Sequence, residues 1–156
     1  MKLGIVGHAQ EKFHSPTEAA ARAAIVHAID IYQPELIISG HSPMGGVDFY
    51  AEEIAEEMGI PTRIFAPKVF KWDAPGGFRE RNWKIANESD LVLCIVVKDF
   101  PPFFEGKRFE KCYHCLSAWR QGRHKNPVHL KSGGCWTAWR CKAREWRIIE
   151  EEKAKR

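Results

Sequence analysis

No run in this chain approaches the roughly 18 consecutive apolar residues that a membrane span requires, although 44% of its residues are hydrophobic. The opening stretch Met1-Lys2-Leu3-Gly4-Ile5-Val6-Gly7 holds too short an apolar run for a secretion signal and reads as a strand. A cytoplasmic location is the expectation, with no membrane contact. Cysteine is sparse: five residues, an odd number at irregular spacing. That argues against a disulfide framework and for thiols that pack or hold metal. The first turn, Gly7-His8-Ala9-Gln10, lacks the G-x-G-x-x-G dinucleotide pattern, and no P-loop occurs anywhere. NAD binding and ordinary ATP hydrolysis are therefore disfavoured.

What remains is ordinary in size and uneven in charge. The 156 residues fit one domain, 1–156, with room for a sizeable core. Of the net charge of +4, a surplus of five sits between Lys98 and Lys131, where eight basic residues meet only Asp99, Glu105 and Glu110. The rest of the chain is left at −1. We treat residues 98–131 as a basic insert, and it has no clean periodicity.

Outside the insert, strands alternate with helices. Apolar runs predict strands near 3–6, 35–39, 62–65, 91–97 and 146–150, the run Leu91-Val92-Leu93-Cys94-Ile95-Val96-Val97 being the central one. Ser15-Pro16-Thr17-Glu18 has the form of a capping box, followed by a helix with Ala21, Ala24, Ile25, Ala28 and Ile31 inward. A second helix buries Val47, Tyr50, Ala51, Ile54, Ala55 and Met58, with Glu52, Glu53, Glu56 and Glu57 on its other face. A third is expected over 78–87 and a fourth over about 135–145. This order calls for a doubly wound, Rossmann-like parallel sheet of five strands with helices on both faces.

In such folds ligands sit beyond the carboxyl ends of the strands. The stretch Ser39-Gly40-His41-Ser42-Pro43-Met44-Gly45-Gly46-Val47-Asp48 is a strand-to-helix turn at that edge. Its glycines permit positive φ and close approach, and the helix start suits a phosphate or carboxylate. Gly7 and His8, the Pro75–Arg81 region, and Ser132-Gly133-Gly134 with Thr137 fall at the same edge. Arg79 and Arg81 open a helix there; Arg79 fits a solvated surface residue, whereas Arg81, next to an inward-facing Asn82, fits a phosphate clamp. A nucleotide or sugar phosphate is the natural ligand.

Three patterns in order carry a family resemblance: Ser39-Gly40 with Gly45-Gly46-Val47-Asp48, Arg81-Asn82 with Ala86 and Ser89-Asp90-Leu91-Val92, and Ser132-Gly133-Gly134 with Thr137 and Ala143. The chain resembles the SLOG superfamily, which includes the Lonely Guy phosphoribohydrolases and the Smf-type DNA-processing proteins. The resemblance implies a Rossmann-like fold, a nucleotide-derived ligand and often a homodimer. One departure bears on chemistry. Where the phosphoribohydrolases carry P-G-G-x-G-T-x-x-E, this chain has Ser132 for the proline, Trp136 for the third glycine and Arg140 for the catalytic glutamate. An arginine cannot act as that carboxylate. Asp48 is the remaining candidate, with helix capping as its alternative role.

The insert carries a second constellation. Cys112-Tyr113-His114-Cys115 is a C-x-x-C knuckle able to hold zinc, with His129 as third ligand and Cys135 preferred to His124 as fourth. A redox pair or a chance cluster are the competing readings. Phe103, Phe104, Phe109, Tyr113 and Trp119 interleave with basic residues, which suits either a satellite core or single-stranded nucleic acid. Three functions are thus in play: a nucleotide hydrolase acting on an N-glycosidic or phosphate bond, a non-catalytic nucleotide sensor, and a zinc-containing nucleic-acid-binding protein.

Overall fold

The computed structural model describes residues 1–98, 137–138 and 140–150. Its strands are β1 (Lys2–Gly7), β2 (Leu36–Ser39), β3 (Thr62–Ile64), β4 (Leu91–Lys98) and β5 (Arg144–Glu150). Between them lie α1 (Ser15–Tyr32), α2 (Val47–Glu57) and α3 (Phe78–Glu88). The five strands form one all-parallel sheet in the order β3-β2-β1-β4-β5. The α/β class and the five-stranded parallel sheet are those read from the alternation of apolar runs and amphipathic stretches.

The central strand is β1, flanked by β2 and β4. The run at 91–97, expected in the centre, stands one place from the edge and is buried on both faces, with β5 closing its outer side. Every residue from Val92 to Val97 is buried, and alternate side chains enter different clusters. Leu93, Ile95 and Val97 join Leu3, Ile5 and Ile37 beneath α1 and α2. Val92, Cys94 and Val96 join Val6 and Ile38 beneath Ile85 and Ala86 of α3, with Ala138 and Cys141. Helices therefore cover both faces. Two cysteines, Cys94 and Cys141, are free buried thiols of this second cluster.

Several boundaries differ from the sequence reading, each for a local reason. α1 is capped one residue earlier than expected: Thr17 Oγ1 accepts the His14 N–H at 3.0 Å and donates to the His14 carbonyl at 3.1 Å. Its inner stripe runs through Ala21, Ile25, Ala28 and Ile29, leaving Ile31 exposed. Met58 lies past the last turn of α2 and is likewise exposed. The expected helix to residue 145 ends sooner. Thr137, Ala138 and Arg140 are helical, and the strand begins at Arg144 because its backbone pairs with β4 from Val92 onward.

Candidate functional site

The strand order reverses between β1 and β4, and the carboxyl ends of these neighbours form the place where such sheets take ligands. His8, just past β1, ties this place together. Its Nδ1 accepts the Val97 N–H at 3.1 Å. Its own N–H donates to the Ile95 carbonyl, and its carbonyl accepts the N–H of Val47, both at 3.1 Å. An accepting Nδ1 puts the ring proton of the neutral imidazole on Nε2. The buried His8 thus joins β1, β4 and the start of α2.

The β2–α2 loop packs onto that junction. Gly46 has φ 86°, and a Cβ there would stand 2.3 Å from the His8 carbonyl oxygen, so glycine is required by the neighbouring backbone. Much of the loop is hydrogen-bonded to itself. The Ser42 N–H donates to Asp48 Oδ2 at 3.0 Å, Gly45 N–H to the Ser42 carbonyl at 3.0 Å, and Met44 N–H to Ser42 Oγ at 3.3 Å. In the first turn of α2, the N–H groups of Asp48 and Phe49 meet no acceptor among the described residues.

Arg81 enters from α3. It is 9% exposed, donates through Nε to Asn82 Oδ1 and through Nη1 to the Gly40 carbonyl, and lies with its guanidinium carbon 5.4 Å from the Phe78 ring centroid. These contacts hold one edge of the fork. The Nη2 group meets no acceptor among the described residues. Burial pulls the Arg81 pKa below its ordinary value, and the charge of Asp48 opposes that. Asn82 is buried beside it.

Asp48 is the buried carboxylate of the site. Burial raises its pKa from 3.8 to about 6, against the pull of Arg81 and of the Ser42 N–H; Glu52 adds to the rise. Glu52, read from sequence as part of a solvated face, instead turns inward with its side chain 16% exposed. Its Oε2 accepts Ser39 Oγ at 2.7 Å, and its Oε1 meets His41 Nδ1 at 2.7 Å. His41 has φ 46° and stacks on Phe49 at 4.8 Å. His41 and Glu52 were both missed. The available signal for Glu52 was its position four residues after Asp48, which puts the two on one helix face.

Of the residues expected at the site, the structure brings together Gly7, His8, Ser39, Gly40, Gly45, Gly46, Asp48, Arg81 and Asn82. Thr137 is fully buried and its carbonyl accepts the Cys141 N–H at 3.2 Å. Ser132, Gly133 and Gly134 lie outside the described residues, as do the metal candidates Cys112, Cys115, His124, His129 and Cys135. Among the described residues no group of three or more metal-ligating side chains is assembled, and no helix is long and apolar enough to cross a membrane. Fold and site define an α/β protein with a buried arginine and a buried carboxylate near the switch point of a parallel sheet. Neither a protein-family model, nor a curated protein, nor a solved structure matches the chain.

Proposed function

We propose that this chain binds a nucleotide or nucleotide-derived ligand whose phosphate is taken by Arg81, beside the β2–α2 loop at the carboxyl edge of β1 and β4. The observation that carries the reading is the guanidinium itself. One edge is fixed by Gly40 and Asn82, and Nη2 meets no acceptor among the described residues. A planar fork so held suits a bidentate oxyanion. Gly7, His8, Ser39, Gly45 and Gly46 build the wall of this pocket, and Ser132, Gly133, Gly134 and Thr137 are its proposed far side. The SLOG resemblance, carried by these same residues, supports the assignment, as well as a cytoplasmic protein able to form a homodimer.

A sensor is favoured over a hydrolase by one observation. Asp48, the candidate for cleaving an N-glycosidic or phosphate bond, is buried and spends Oδ2 on the Ser42 N–H. That is the work of a loop brace. We also propose a structural zinc ion on Cys112, Cys115, His129 and Cys135. Of five cysteines, two are packed in the core, and the three others all belong to this set. Thiolates with an imidazole suit zinc, and the basic insert would then be held as a wall of the pocket or a contact for nucleic acid.

The experiment is a calorimetric titration of mononucleotides into the wild type and Arg81→Ala, with product analysis of the mixtures. Loss of the charged hydrogen bonds should weaken binding by roughly 1.5–3 kcal/mol. Equal affinity in a folded variant removes Arg81 from the site, and turnover that survives Asp48→Asn removes Asp48 as a catalytic group.

A further inference from the structure

A second cleft lies on the other side of α3. The inner residues of that helix, Arg81, Asn82, Ile85 and Ala86, face the sheet; Arg79, Glu80 and Trp83 face outward. There, with Trp72, Asp73 and Arg140, they line a cavity of about 450 Å³. Its size falls within the range of small-ligand pockets, roughly 300–1,000 Å³. Two tryptophans on its walls are 38% and 44% exposed, a large amount of indole to leave in water. The guanidinium carbon of Arg140 sits 5.2 Å from the Trp83 ring centroid. Arg79 pairs with Asp73 at 3.1 Å, and Glu80 accepts the Gly76 N–H.

The lining narrows the occupant. Two arginines against Asp73 and Glu80 leave no net charge, so a bare phosphate has little reason to settle here. An alkyl chain would strand four charged groups. A planar heteroaromatic ring satisfies both features: its faces stack on indole and guanidinium, and its edge supplies donors to carboxylates and acceptors to arginines. We propose that this cleft takes an unpaired nucleobase, packed against the Trp83 indole and the Arg140 guanidinium that lies over it. The base can belong to a free nucleoside or to a single strand. The proposal goes beyond the Arg81 reading and does not rest on it.

The test uses nucleosides, which carry no phosphate, beside a single strand and its duplex, which share the same phosphate backbone. Adenosine, guanosine, cytidine and uridine, a mixed-sequence single strand and its duplex are titrated calorimetrically into wild type, Trp83→Ala, Trp83→Phe, Arg140→Ala and Arg81→Ala. Trp83→Ala should weaken the bound probe about tenfold or more, and Trp83→Phe only about threefold because a stacking face is kept. Arg140→Ala, at an exposed position, should also weaken binding and serves if Trp83→Ala does not fold. Nucleoside binding assigns a free base. Binding of the single strand alone, with the duplex excluded, assigns a base within a strand. No binding of either by the wild type, equal binding by Trp83→Ala and Arg140→Ala, or a loss confined to Arg81→Ala each overturns the proposal.

Discussion

Arg81 donates to the carbonyl of Gly40 at a point where residue 40 has no room for a side chain: a Cβ there would lie 2.5 Å from Arg81 Nη1 and 3.1 Å from Ile85 Cδ1. The glycine is thus the seat of the arginine. Gly40→Ala should push the guanidinium off its carbonyl, costing about 1–3 kcal/mol by overpacking and lowering nucleotide affinity as Arg81→Ala does. Urea unfolding and calorimetry read the two effects; unchanged stability would mean the guanidinium is not held there.

Asp48 should make stability fall as pH rises. Its folded pKa, about 6, lies above the ordinary 3.8, so the folded state binds the proton more tightly than the unfolded chain. The cost of ionising it is absent below about pH 4, grows between 4 and 6, and is complete above 6. At 1.36 kcal/mol per unit the ceiling is about 3 kcal/mol. Asp48→Asn should therefore gain on the wild type as pH is raised from 4 to 7. A difference in unfolding free energy that stays flat over that range contradicts the burial of an ionised Asp48.

Glu52→Ala should cost about 1–2 kcal/mol, because the fully buried Ser39 hydroxyl loses its 2.7 Å acceptor and keeps only the Asp48 carbonyl at 3.3 Å. His41→Ala should cost less, its ring being half exposed and its pairing near the surface. Equal losses in denaturant titrations of the two variants would shift the weight from Ser39 to His41.

Protein purified without a histidine tag should contain about one zinc ion per chain. Chelation should leave the sheet folded, since its two apolar clusters need no metal. Elemental analysis decides the first point, and a metal content near zero ends the zinc reading. Comparison of Cys135→Ser with His124→Ala decides the fourth ligand, release by the histidine change alone pointing to His124.

The fold was legible because its signals are local and repeated. An unbroken apolar run at residues 91–97 cannot be half-solvated, and helices with stripes at three- and four-residue spacing must cover it. Arg81 with Asn82 was legible as a pair, since neither suits an inward helical face without a partner. Glu52 was not. A glutamate among four on a helix reads as solvated, and only the fold of the preceding loop brings Ser39 and His41 to it. The glycines were legible as special, but for a different reason than the loop alone suggests. Gly46 makes room for the backbone of His8, and Gly40, whose φ is not positive, makes room for Arg81.

Residues 99–143 separate β4 from β5 in sequence, and β5 pairs with β4 along its full length. Among the described strands, β5 is the last to be synthesised. During synthesis the order β3-β2-β1-β4 can assemble from residues already made, while the outer edge of β4, its most apolar strand, waits with its ladder groups unpaired. Such an edge invites pairing with another chain. What the separation of β4 and β5 in sequence sets is the interval during which a nascent chain is exposed to misassembly, and β5, by docking, ends it.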